Sequence, residues 1–170
     1  MTLIEIVGFT STGKTFNIAY ALTKKEDNSH YLFVVKRLER LYMHVGRKPT
    51  AIVTDRELTL INAVNDIFGD SVKHLLCWVH IRNNIEAYAL TAIKLKDTAD
   101  DFANKCWGLF MSNTEESYER RLKQLKDNWD KGGDGLVSYM ENTWLNPYKK
   151  NIVRAWTDHH LHFFTRTTNR

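Results

Sequence analysis

The sequence predicts an α/β protein with a small mixed sheet up to about residue 90 and an all-helical part after it. Three observations carry this. Residues 3–7, 16–23, 50–54 and 72–77 are short apolar runs, rich in β-branched side chains and of strand length. Between the last two runs, Leu58, Ile61, Val64 and Phe68 recur at helical spacing and Gly69 supplies a stop. From Trp78 to about Trp156 the apolar residues follow helical spacing throughout.

In the first run Leu3, Glu5 and Val7 alternate with Ile4, Ile6 and Gly8. In the second, Phe16, Ile18, Tyr20 and Leu22 alternate with Asn17, Ala19, Ala21 and Thr23, the period of a strand. Ser11-Thr12-Gly13-Lys14 between them reads as a hairpin turn, with Gly13 free to take positive φ. Residues 24–28 form a polar loop. Ser29 can cap a helix whose stripe is Tyr31, Val34, Val35, Leu38, Leu41, Tyr42 and Val45, and Gly46 and Pro49 stop it. The strand at 50–54 ends on Asp55. That residue either caps the next helix or stands where open α/β sheets place their chemistry, at the carboxyl end of a strand. Glu57 is expected inside the helix start, facing solvent or favouring the helix dipole.

Strand, single helix, strand is a β-α-β unit, so the strands at 50–54 and 72–76 are expected to be parallel and adjacent. Asp55 and Cys77 then leave the same sheet edge, with His80 one helical turn beyond Cys77. In the helical part, Trp78, Ile81, Ile85, Tyr88 and Ala92 line one helix, and Phe102, Cys106, Leu109 and Phe110 another. Asn113 or Thr114 caps a third, with Tyr118, Leu122, Leu125 and Trp129 on its face. Residues 131–135 are a glycine-rich break. Two shorter helices follow at 136–144 and 147–156, the second opened by Asn146 and Pro147.

Composition narrows the class. The 170 residues carry a net charge of +4, mildly suited to nucleic acid. Lys36, Arg37, Arg40, Arg47 and Lys48, with Lys149, Lys150, Arg154, Arg166 and Arg170, are the candidate DNA contacts; a solvated basic face is the simpler reading of the first group. Two cysteines far apart make no disulfide framework and fit a reducing compartment. No apolar run approaches the ~18 residues of a membrane span, and residues 1–9, with Glu5 and no basic start, do not read as a signal peptide.

Two motifs have rival meanings. Gly8-Phe9-Thr10-Ser11-Thr12-Gly13-Lys14-Thr15 fits the P-loop pattern, which would make the chain a nucleotide hydrolase. That reading needs a helix starting at Lys14, and the residues beyond alternate as a strand instead. Cys77-x-x-His80 is half of a zinc set, but no second pair has ligand spacing. Cys106 reads as core, and His159, His160 and His162 reach the pair only by folding back. Zinc is therefore not expected there, and a packing and hydrogen-bonding role is preferred.

TDRELTLINAV followed by CWVH resembles the Mutator-like element (MULE) transposase domain, as do LIEIVGFTSTGKTFNIAYAL, TWLNPYKKNIVRAWT and TTNR, in family order. The resemblance implies an RNase H-like fold and a DNA transposase whose three carboxylates (Asp, Asp, Glu) bind Mg²⁺ or Mn²⁺ for strand cleavage and joining at transposon ends. Asp55 matches the second Asp, the catalytic and metal-binding position. The first Asp would precede the part matching residues 3–7, and the Glu would follow TTNR. The sheet is thus expected to be incomplete, lacking its first strand, and the chain inactive alone. The implied layout is a partial core at 1–90, a helical insertion at 91–157 and a return segment at 158–170. The resemblance also implies a nuclear location. A non-catalytic, DNA-binding regulator of the far-red-response type is the alternative it leaves open.

Overall fold

The computed structural model describes residues 1–10, 12–129 and 135–158. It has mixed α/β architecture in two compact units, the first spanning Met1–Leu76 and the second beginning at Cys77.

The first unit opens on a hairpin. Strands β1 (Thr2–Phe9) and β2 (Thr15–Thr23) pair antiparallel, with Leu3 opposite Leu22, Glu5 opposite Tyr20, and a bulge between Ile6 and Val7. In the turn, the Thr10 N–H donates to the Lys14 carbonyl at 2.9 Å and the Gly13 N–H to the Thr10 carbonyl at 2.9 Å. Gly13 sits at φ +76°, where a side chain would be strained. The chain beyond Lys14 is therefore extended, which overturns the P-loop reading: no helix N-terminus is there to receive phosphate.

Helix α1 (Asn28–His44) is capped by Asp27 rather than Ser29. The Asp27 carboxylate accepts from the His30 N–H at 3.1 Å, and the Ser29 hydroxyl donates to it at 2.7 Å, so the serine supports the cap instead of forming it. Tyr31, Val34 and Val35 are buried, whereas Leu41 and Val45 at the far end of the expected stripe are exposed. The helix that packs on α1 is shorter, 11 residues against 17, and covers only part of the stripe.

Strand β3 (Ala51–Thr54), helix α2 (Leu58–Phe68), one 3₁₀ turn and strand β4 (Lys73–Leu76) form the expected β-α-β unit. The strands are parallel, Ala51 opposite Lys73 through Thr54 opposite Leu76. Gly69, at φ +50° and ψ −142°, ends α2 as predicted. Tyr31 and Val35 from α1, Ala63, Val64 and Phe68 from α2, and Val72 make a core on which Ile4 of β1 and Ile52 of β3 both pack. Among the described residues the four strands make two separate two-stranded ladders, not one sheet. Among those residues each strand has one partner, so each ladder presents two edges, and both ladders pack on the same helical core through Ile4 and Ile52.

The second unit is helical: α3 (Trp78–Ile93), α4 (Lys96–Phe110), α5 (Glu115–Trp129), α6 (Leu136–Met140), α7 (Asn146–Ile152) and α8 (Arg154–Thr157). In α3 the buried line is Ile81, Ile85, Ala89, an unbroken i, i+4 series; the expected Ala92 is exposed. Phe102, Cys106, Leu109 and Phe110 of α4 are all buried, as predicted. Thr114 caps α5 through a 3.1 Å bond from the Ser117 N–H. Edge-to-face ring pairs, Trp78 with Trp107 and Tyr118 with Trp156, lock neighbouring elements. The Trp78 indole N–H donates to the Ile152 carbonyl at 3.0 Å.

The expected helix break before Pro147 does not occur. Residues 136–152 run as one helical path through a π-helical turn, Glu141–Leu145. Proline lacks an N–H and crowds the carbonyl four residues back; a widened turn just ahead of it absorbs both effects without ending the helix. The break comes instead at Val153, which is extended.

Candidate functional site

Asp55 is the first residue beyond β3 and is exposed. The strand places it there: Val53 and Thr54 are held in the ladder, and the chain leaves pairing immediately after Thr54 opposite Leu76. Cys77 is likewise the residue that follows Leu76, so both depart from the same end of one ladder. The cap of α2 is Glu57, not Asp55. The Glu57 carboxylate accepts from the Thr59 N–H at 3.2 Å and from the Thr59 hydroxyl. With that task taken two residues later, the Asp55 carboxylate accepts, among the described residues, from the Glu57 N–H at 3.4 Å, and the residue is exposed.

Asp55 and Glu57 at this strand end both act on the Tyr31 hydroxyl. The Tyr31 hydroxyl is pushed up to about 12, by burial first and then by Glu26, Glu57 and Asp55. Behind Asp55 lies a buried polar pair. The Thr54 hydroxyl donates to the Asp55 carbonyl at 2.7 Å and stands 2.8 Å from His74 Nε2. Burial, with Lys73 alongside, lowers the His74 imidazole to about 4, so it is neutral at pH 7. Sequence reasoning missed His74. The available signal was one histidine inside the apolar run at 72–77; in the observed register it shares a ladder face with Ile52 and Thr54.

A hard divalent cation takes oxygen ligands, and Asp55 fits as one of them. Among the described residues no group of three His, Cys, Asp or Glu side chains comes together to hold an ion. Asp55 alone cannot build a two-ion site. Glu5 lies in the hairpin opposite Tyr20.

In the second unit Cys77 precedes α3 as its N-cap and is wholly buried, and His80 in the first turn of α3 is half-buried. Cys106 is also fully buried, and burial raises its thiol well above the usual range, so it is core rather than ligand. His159, His160, His162, Arg166 and Arg170 lie outside the described residues.

The basic candidates fall in both units. Lys36, Arg37 and Arg40 on α1 and Arg47 and Lys48 after it are exposed, with Arg37 lying 5.1 Å over the Phe33 ring. Lys149 of α7 is stacked against Tyr118 and Trp156, at 5.9 and 5.2 Å from the ring centres, and Arg154 pairs with Asp158 at 2.7 Å. Those two side chains have partners within the unit, whereas Lys150 is exposed. Among the described residues no helix is long and apolar enough to cross a membrane.

Residues 1–84 match the family model of the MULE transposase domain. The match takes in Asp55, Cys77 and His80 and ends inside α3; the TWLNPYKKNIVRAWT and TTNR stretches lie beyond it. A comparison with curated proteins finds no match.

Proposed function

We propose, from residues 1–84 being a MULE transposase domain, that the chain is part of the catalytic domain of a MULE-type DNA transposase. In this reading the first unit is a partial RNase H-like core, the helices beyond it are an insertion, and Asp55 is one of three carboxylates that bind Mg²⁺ or Mn²⁺. The observation that carries it is Asp55 itself: an exposed carboxylate at the carboxyl end of a parallel β-α-β strand, freed from capping by Glu57. Duplex DNA is the partner, met by Lys36, Arg37, Arg40, Arg47 and Lys48, and the nucleus is the place of action.

In-line displacement at phosphorus uses two ions about 3.5–4 Å apart, which one carboxylate cannot hold. The 170-residue chain is therefore expected to leave supercoiled and linear DNA intact in Mg²⁺ or Mn²⁺. Metal-dependent nicking or joining that disappears in Asp55→Asn would show the chain to be catalytically complete. The metal role of Asp55 has its own readout. Mn²⁺ added to the ¹⁵N-labelled chain should broaden the Arg56 and Glu57 amide signals first, and Asp55→Asn should abolish that selectivity. Equal broadening in both proteins removes Asp55 as a ligand.

A further inference from the structure

We propose that His74 and Thr54 are positioning residues that fix the direction of the Asp55 carboxylate from behind the strand. This rests on the reading of Asp55 as a metal ligand and deepens it by assigning what holds that ligand's backbone.

The geometry is directional. Thr54 has one hydroxyl proton, donated to the Asp55 carbonyl at 2.7 Å. With that proton spent, the hydroxyl oxygen can only accept from His74, so the Nε2 atom 2.8 Å away must carry the imidazole proton. The chain therefore runs His74 N–H to Thr54 O–H to Asp55 carbonyl, and it selects one tautomer of the ring. His74 and Thr54 are 7% and 6% exposed, so water does not compete for either group.

The acceptor distinguishes this arrangement from ordinary satisfaction of buried polar groups. It is the carbonyl of Asp55, the exposed residue at which the chain leaves the ladder. The peptide before Asp55 is fixed because Thr54 is still in the ladder. The peptide after it is fixed by the Thr54 hydroxyl. With both planes set, the Cα–Cβ direction of Asp55 is set, although the residue itself has left the sheet. A ligand held this way loses less freedom when it takes up a cation, as outer partners of metal ligands generally ensure.

The test uses the whole labelled chain and two readouts: the Asp55 carbonyl ¹³C shift, which needs no metal, and the Mn²⁺ concentration that half-broadens the Arg56 amide signal. Thr54→Val removes the hydroxyl at equal size, and His74→Phe removes the N–H while keeping a ring. Both should move the carbonyl shift in the same direction and raise the Mn²⁺ requirement by roughly tenfold. Thr54→Ser and His74→Gln keep the donors and should return both readouts toward the parent values. Val64→Ala, a cavity in the core of the same unit, should lower the urea midpoint and leave both readouts alone. The proposal is overturned if Thr54→Val leaves the Asp55 carbonyl shift in place, if His74→Phe has no effect where Thr54→Val has one, or if Val64→Ala reproduces the Thr54→Val result. If the parent chain shows no Asp55-dependent broadening, the metal reading falls, and the carbonyl shift alone decides whether the pair orients the residue.

Discussion

At the scale of single residues, His74 ties stability to pH. Its imidazole titrates at about 4 in the fold, held down by burial and then by Lys73, against an ordinary value of 6.5. The unfolded chain takes up the proton first as acid is added, so folding loses stability as pH falls from about 6.5 toward 4 and the loss levels off below that. The shift corresponds to roughly 3–4 kcal/mol at most. Urea unfolding followed on the Leu75 and Leu76 amide signals should show the midpoint dropping across this window. His74→Gln should flatten that part of the profile; parallel curves for the two proteins would discard the assignment. The place of Asp55 at the end of β3 was legible from the sequence, because a carboxylate after a β-branched run is a local signal. The reading of Asp55 as the cap of α2 was equally open, and that reading fails because Glu57 caps the helix by bonding Thr59. His74 was not legible, because its partner Thr54 is 20 positions away and only the strand register brings them together.

Among the elements, two glycines should respond oppositely to alanine. Gly69 ends α2 at φ +50° and ψ −142°, a conformation almost closed to side chains even though nothing lies within 4 Å of the added carbon. Gly69→Ala is expected to destabilise the first unit by about 1–3 kcal/mol. Gly108 lies inside α4 with helical backbone and equally open space around it. Gly108→Ala should stabilise the second unit by roughly 0.5–1 kcal/mol. Thermal or urea midpoints check both, and the same sign for the two substitutions would contradict the backbone argument. The strands and helices of the first unit were readable because each has one clear period and glycine punctuation. The helical path at 136–152 was misread at Pro147. Sequence rules treat that residue as a beginning, whereas a π turn lets the helix carry it. The first helix was placed correctly but capped too late, since Asp27 and Ser29 are both good caps and only backbone geometry selects between them.

For the molecule as a whole, charge sets the expected behaviour toward DNA. A net charge of +4 over 170 residues supports weak, sequence-independent binding. Each phosphate neutralised by a basic side chain releases counterions, so log K should fall with log salt at a slope of about −0.9 per phosphate on duplex DNA. Arg37→Glu with Arg40→Glu should make the slope shallower by about one unit for each phosphate left unneutralised. Binding that survives high salt and discriminates between sequences would instead require base readout. The hairpin leaves apolar surface in view: Leu3 and Leu22, opposite each other, are 58% and 66% exposed. The ladders also bear on how the chain acquires its structure. In the hairpin, partners lie between 6 positions apart, Phe9 with Thr15, and 21 apart, Thr2 with Thr23. In the parallel pair every partner is 22 positions away, as Ala51 is from Lys73. Neither ladder waits for a distant strand to arrive. The hairpin can zip outward from its turn in about 1–10 μs. The parallel pair must close one loop of constant length around α2 before its first partners meet. Both ladders are complete within the first 76 residues, so both can form while later residues are still being synthesised.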